Sequence, residues 1–288
     1  MQKGELVNEG KTKIIFEVEG DSSRAVIEYK NAITAFDNPD FTQEFDTKAK
    51  HSNTTTCRIF EMLKDAGVPV AYERQLSETE FLAPKCKMIP LEVVARRYAV
   101  GSYLKRHPEL AKSDGEDPHR FDDLKVEFFL KTGSGELKMG DRVVVDGLDP
   151  KAGEEDPFII NPDEDVWNLK HPKKQAEEEG SDLGKQVSAS DVLLGDSTTG
   201  EMEQITKDTF HALENFWNNY EFKLIDFKIE FGITADGELM VADVIDNDSW
   251  RLRNKDWEDI SKQSFRDGES LDKIADKYEL VATLLDNK

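Results

Sequence analysis

Glu230 and Asp243 are the side chains whose spacing first suggests chemistry. Around them, Ile225, Phe227, Ile229 and Phe231 alternate with Asp226, Lys228 and Glu230, which is the pattern of a half-buried strand. Asp236-Gly237 reads as a two-residue hairpin turn, because both residues tolerate the positive φ of a type I′ turn. That turn sets Ala235 opposite Glu238 and, counting back, Glu230 opposite Asp243. Opposed residues on antiparallel strands have Cβ atoms roughly 4.5–5.5 Å apart, and like charges there repel. A cation resolves the repulsion, and hard oxygen donors suit Mg²⁺ carrying the phosphates of a nucleotide. The bland alternative is a solvated hairpin whose acids splay into water.

Acids outnumber cations in this chain, 60 Asp and Glu against 38 Lys and Arg, so clusters of cations are informative. Lys11 and Lys13 lie two apart in EGKTK (Glu9 to Lys13), which on a strand puts two ammonium groups on one face and over one polyphosphate. Alternating lysines also occur on ordinary polar edge strands. Arg96, Arg97, Lys105 and Arg106 bracket AVGSYL, where Gly101 permits close backbone approach and a short helix would open at Ser102. Arginine there suits phosphate and carboxylate equally well, while a solvated helix carrying snorkelling cations is the competing reading. Thr34 and Asp37, flanking Ala35 and Phe36, line a site or merely start a turn.

The elements that would carry these groups are mostly legible. Ile14 to Val18 and Ala25 to Tyr29 read as strands about a turn at Glu19 to Ser22. A helix is predicted from about Thr54 to Ala66, capped by Ser52 or Asn53, with Cys57, Phe60 and Leu63 as its apolar stripe and Gly67 closing it. Extended structure follows at Val68 to Tyr72 and Met88 to Val94. From Gly133 to Asp196 the composition shifts to Gly, Pro, Asp, Glu and Lys, which predicts insertions and mobile loops around one short strand at Arg142 to Val145. Phe210, Leu213, Trp217 and Tyr220 mark an amphipathic helix. Leu271, Ile274, Tyr278, Val281 and Leu285 mark a closing helix, read as core or oligomer contact rather than site.

With 288 residues, 38% hydrophobic and 34% charged, the chain has the composition of a two-lobed globular protein. No apolar run approaches a membrane span and no signal peptide precedes the first strand, so a cytoplasmic protein is expected. Two cysteines without disulfide or zinc spacing agree, and the five histidines form no ligand pattern. A formal net charge of −22 excludes a basic footprint for nucleic acid or anionic membrane.

Seven motifs, in order along nearly the whole chain, resemble the SAICAR synthetase family (phosphoribosylaminoimidazole-succinocarboxamide synthases). They are EGKTK, ITAFD (Ile33 to Asp37), MIPLEVVARRYAVGS (Met88 to Ser102), Asp156-Pro157, DFKIEFG (Asp226 to Gly232), ADVIDNDSWRL (Ala242 to Leu252) and KQSFRDG (Lys262 to Gly268). The last two look most like the animal-type branch, in which this domain is fused to a carboxylase; a chain ending at Lys288 is expected to lack that domain. Three departures stand out: Ala49 where many members have glycine, Lys262-Gln263 where a Lys-Asp pair is common, and longer segments at 133–153 and 163–196.

The resemblance implies an α+β fold in two lobes. A small β-rich lobe like that of kinases spans residues 1–90, and a larger α+β lobe spans 91–288, with an ATP-grasp-like nucleotide cleft. It implies a ligase joining L-aspartate to the carboxylate of the imidazole ribonucleotide CAIR with ATP and Mg²⁺, and a homo-oligomer is expected. By position, Lys11 and Lys13 would meet the ATP phosphates, Met88 to Glu92 the adenine side, and Lys228 the nucleotide, with Glu230 and Asp243 holding Mg²⁺. Arg96, Ser102, Asp248 and Arg251 would bind the ribonucleotide, while Asp37, Lys48, Lys262 and Arg266 would complete the substrate and aspartate region. Lys228, Asp226 and Asp37 are the catalytic candidates, the last two as acceptors of the aspartate amine's proton. A kinase-like phosphotransferase would show a Gly-rich phosphate loop and an HRD-type loop, and neither is present. A non-catalytic nucleotide-binding descendant would be expected to have lost the charged motif residues, which are all retained.

Overall fold

Alternation of apolar and polar residues near the start of the chain produces an antiparallel meander. The structure, a computed structural model, describes residues 2–34, 42–113, 115–133, 135–148 and 156–287. Strands β1 (Lys3–Glu9), β2 (Lys13–Val18) and β3 (Asp21–Tyr29) pair in turn. The chain continues through β4 (Ala32–Thr34), β5 (Thr42–Glu44), α1 (Lys48–Asp65), β6 (Arg74–Gln75) and β7 (Glu80–Pro84), giving a sheet of order β1-β2-β3-β7-β6. Helix α1 lies against β3 and β7. Phe60 of α1 meets Tyr72 and Phe81 at ring-centroid distances of 6.0 and 6.4 Å.

Two local readings change here. Lys11 lies in a bend closed by Gly10 N–H donating to the Lys13 carbonyl (2.8 Å), so only Lys13 is in a strand and the two do not share a strand face. Helix α1 starts at Lys48 rather than Thr54, so Ser52 and Asn53 are not caps but buried helical residues. Asn53 spends its amide on the Ser77 carbonyl (3.0 Å). Ala49 is helical, a conformation open to any L-residue, which is why this position tolerates the loss of glycine.

The chain then forms β8 (Cys86–Tyr98), α2 (Ser102–Arg106), β9 (Arg120–Leu130), β10 (Leu137–Met139), β11 (Arg142–Val145), β12 (Phe158–Ile160), β13 (Val166–Lys170) and β14 (Asp182–Ser188). Short α3 (Ala189–Val192) and long α4 (Thr199–Asn218) lead to β15 (Lys223–Thr234). A sheet of order β14-β13-β12-β9-β8-β15 organises this part. The expected mobile loops at 133–196 are therefore corrected: residues 158–188 contain three sheet strands. Trp167, Leu169 and Val187 are almost completely buried on one face, while their polar neighbours made the segment look like loop by composition. Glu177 to Glu179 do lie in exposed turns.

Strands β16 (Leu239–Ala242) and β17 (Trp250–Arg253) and helices α5 (Gln263–Arg266) and α6 (Leu271–Asp286) complete the chain. The hairpin turn differs by one residue from the prediction. Thr234 N–H donates to the Glu238 carbonyl and Gly237 N–H to the Thr234 carbonyl, both at 3.0 Å. Gly237 alone has positive φ (+87°) and Asp236 does not, so this is a three-residue loop rather than type I′. The count that opposed Glu230 to Asp243 loses its basis, and Asp243 lies just beyond the end of β16 with φ 67°.

Two compact units result: Met1–Lys87 with His211–Leu224 and Gly232–Lys288, and Met88–Phe210 with Ile225–Phe231. A linear boundary at residue 90 does not describe residues 232–288, which belong with the first unit. The reason is packing: α6 runs along α1, and Ile33, Ile274 and Tyr278 share a core with Phe45, Phe265 and Leu271. Among the described residues no helix is long and apolar enough to cross a membrane.

The strand assignment in the supposed insertion can be measured. Trp167→Ala should cost about 3–5 kcal/mol in urea unfolding, the range for deleting a buried large aromatic. A cost below about 1 kcal/mol, typical of surface substitutions, would mean that β12 to β14 contribute no core.

Candidate functional site

In the second unit, strand geometry gathers two lysines and three carboxylates. Glu92 of β8 accepts from Lys228 of β15 (2.5 Å), and Glu230, also of β15, accepts from Lys131 at the end of β9 (2.6 Å). Lys228 and Glu230 lie two apart on one strand and so share a face. Asp156 receives the Thr132 N–H (2.8 Å). Burial pushes the Asp156 carboxyl up to about 6; the Glu92 charge works in the same direction, against the Thr132 hydrogen bond, Lys131 and Lys228. For Lys131, burial works against the ammonium, but the Glu230 carboxylate outweighs it and raises the pKa.

The same unit holds a nearly solvent-free charge network. Arg96 donates through Nε to Glu127 (2.6 Å), through Nη1 to Asp226 (2.7 Å) and through Nη2 to Ser102 Oγ (3.3 Å). Arg106 donates to the other Glu127 oxygen and to the Pro172 carbonyl, and its guanidinium sits 4.6 Å from the Phe158 ring centroid. Burial disfavours the Arg96 charge, but Glu127 and Asp226 together raise its pKa. Arg106 has a lowered pKa, because burial dominates there. Arg96, expected to meet the ribonucleotide, is 4% exposed and hydrogen-bonded to Ser102 and Asp226. Met88 is exposed near the start of β8 and Glu92 is half-buried.

In the first unit, the tertiary fold brings together residues far apart in sequence. Lys13 donates to Asp243, whose left-handed backbone is a conformation that Asp tolerates better than most residues. Asp248 Oδ2 accepts from Lys262 (3.1 Å) and lies 3.6 Å from Lys48 Nζ, while Oδ1 accepts from the Tyr278 hydroxyl. Burial opposes ionisation of Asp248, but Lys262 and Lys48 hold its carboxyl well below the usual range. Asp246, two residues earlier, is pushed the other way by burial and by the Asp248 charge. Lys48 is 0% exposed and faces Asp248 from helix α1. Arg266 donates to Gln263 (3.3 Å), and Arg251 is half-buried on β17. Lys11 is exposed in its bend. Asp37 lies outside the described residues.

Sequence reasoning gave no site role to Glu127, Lys131, Asp156, Asp246 or Tyr278, and read Arg106 only as one cation of the cluster about Gly101. Asp156 and Asp246 carried a visible signal, as parts of the Asp-Pro and ADVIDNDSWRL motifs. Glu127 lies in β9, Lys131 just after it and Tyr278 in α6, where spacing does not single out one polar residue. The closing helix, read as core or contact, sends Tyr278 to Asp248.

The chain matches the SAICAR synthetase family over residues 6–136 and 172–283. It is 37% identical over 265 residues to a probable multifunctional protein ADE2 of Caenorhabditis elegans, covering 91% of this chain and 52% of that protein, so the chain spans about half the length of this relative. It is 32% identical over 295 residues to a phosphoribosylaminoimidazole-succinocarboxamide synthase of Chloroflexus aurantiacus, covering 99% of this chain and 97% of that protein. A solved structure described as a SAICAR synthetase (Type-2) in complex with ADP has the same fold, with a TM-score of 0.71, 22% identity, and coverage of 99% and 98%.

The Asp156 environment sets a pH signature. A carboxyl raised from 3.8 to about 6 favours the folded state while protonated, and that contribution is lost as pH rises through about 6. Asp156→Asn keeps an acceptor for the Thr132 N–H without the charge. Its stability relative to wild type should therefore grow between pH 4 and 6 and be flat above, in parallel urea titrations. A difference that is flat across that interval rules out the shift.

Proposed function

The chain belongs to the SAICAR synthetase family, ATP-dependent carbon–nitrogen ligases of purine biosynthesis, and we propose that it joins L-aspartate to the carboxylate of CAIR, releasing ADP and phosphate. The observation that carries this reading is that the two carboxylates assigned to Mg²⁺ each already face a lysine ammonium, Glu230 with Lys131 and Asp243 with Lys13. Family membership supports a ligase over a kinase-like phosphotransferase.

The donor chemistry fits Mg²⁺. Among the described residues no group of three or more His, Cys, Asp or Glu side chains is placed to hold a metal. That suits an ion delivered with a polyphosphate, since Mg²⁺ keeps waters and phosphate oxygens and needs only one or two protein carboxylates. When bound, it would neutralise charge on the transferring phosphoryl group. In the first unit, Lys11 and Lys13 take the ATP phosphates and Asp243 the metal. In the second, Met88 to Glu92 take the adenine side, Lys228 the nucleotide and Glu230 the metal.

The reaction needs activation because a carboxylate is a poor electrophile. An oxygen of the imidazole carboxylate attacks the γ-phosphorus of ATP, ADP leaves, and an acyl phosphate forms. The aspartate amine then attacks the acyl carbon, phosphate leaves, and the amine's proton passes to a carboxylate. Asp226, one oxygen of which accepts from Arg96, and Asp37 are the carboxylates assigned to that role. Ser102 and Arg251 take the ribonucleotide phosphate, Asp248 its imidazole end, and Lys262 and Arg266 the aspartate carboxylates. Arg96 and Lys48 hold Ser102 and Asp248 in place.

A coupled ADP assay with each substrate omitted in turn tests the reaction. ADP release should require CAIR, aspartate and Mg²⁺, and release that ignores aspartate would refute the ligase reading. Glu230→Ala and Asp243→Ala should each lower kcat by at least about 100-fold, the scale for losing an electrostatic contact to a transition state. Normal turnover of either variant at saturating Mg²⁺ rejects the metal assignment. Arg251→Ala should raise KM for CAIR more than KM for ATP; equal changes would remove Arg251 from the ribonucleotide site.

A further inference from the structure

We propose that Tyr278, on the C-terminal helix α6, is a positioning residue for the ribonucleotide, its hydroxyl fixing the orientation of Asp248. The inference rests on the assignment of Asp248 to that substrate and adds a residue from an element with no other role in the site.

Packing alone does not call for tyrosine here. The ring lies edge-on to Phe45 (5.5 Å between centroids) in a core with Ile33 and Ile274, a setting that phenylalanine would fill equally well. Tyr278 is 1% exposed, and a hydroxyl that deep must have a partner. Its partner is Asp248 Oδ1. The other Asp248 oxygen is served by Lys262 at 3.1 Å and Lys48 at 3.6 Å. Lys48, fully buried, lies 5.5 Å from the Tyr278 ring centroid and 6.0 Å from that of Tyr29. The carboxylate is thus held at both oxygens, by α6 on one side and by α1 and the residue preceding α5 on the other. Two lysines reach one oxygen on long, flexible chains, while the tyrosine hydroxyl meets the other oxygen from a ring packed in the core. That further contact fixes the plane of the carboxylate, so the acid is pre-oriented before ligand arrives.

Tyr278→Phe deletes the hydroxyl and keeps the ring beneath Lys48. Calorimetric titration of the full chain with CAIR alone should show Kd raised about tenfold, the scale of one hydrogen bond to a charged group. KM for CAIR should rise in parallel, while KM for ATP and for aspartate stay within about twofold and the melting temperature within about 3 °C. In an Asp248→Asn background the same substitution should add little, because the two side chains act as a unit. A Kd unchanged within about twofold overturns the proposal, as does an equal rise in all three KM values, which would assign Tyr278 to the fold alone. Wild-type protein that fails to bind CAIR defeats the functional reading itself, and this inference with it.

Discussion

Carboxylates can be kept together out of water in this protein only where a cation lies among them, and both units are built around that constraint. Asp246 is buried and Asp248, two residues on, is half-buried, and they survive as neighbours because Lys48 and Lys262 sit beside Asp248. The result is a division of labour: Asp248 is held ionised and Asp246 is pushed towards its neutral form. In the second unit the same problem is solved by arginine, with Arg96 bridging Glu127 and Asp226, and Arg106 completing the coordination of Glu127.

Such groups are poor candidates for net stabilisers. Desolvating an ion pair costs several kcal/mol per ion, and a well-packed apolar substitute is often as stable. Their value is geometric. Arg96 presents planar donors in three directions at once, which fixes Ser102 at the start of α2 relative to β9 and β15. Exposed pairs such as Lys50–Glu78 carry no comparable constraint, because water screens them.

The backbone contributes at two places. Gly101 has φ +56°, a left-handed value that lets the chain turn sharply from β8 into α2 and brings Ser102 back towards Arg96. Asp243, also left-handed, ends β16 and turns its side chain to Lys13 from the other end of the chain. A strained non-glycine residue at a carboxylate assigned to a metal follows the general tendency of strain to collect at functional positions.

Period and turn chemistry are local, so the chain's order alone determined the strands β2, β3, β8 and β15 and the amphipathic helices, and it carried the motifs whose family resemblance implied the α+β class. The same locality put Lys228 and Glu230 on one strand face, while Glu92 and Lys228 became site candidates only through the family resemblance. Register was beyond it: one residue with negative φ at Asp236 changes the hairpin loop and voids the count linking Glu230 to Asp243. Pairings across long separations were beyond it too. Lys13 with Asp243, Arg96 with Glu127 and Asp226, and Tyr278 with Asp248 exist only because packing closes loops of tens to hundreds of residues. Burial decided the roles within those pairs. A lysine or arginine in a motif reads as a ligand contact, yet only the tertiary structure shows its depth, as at Lys48 and Arg96, and the side chains it is paired with.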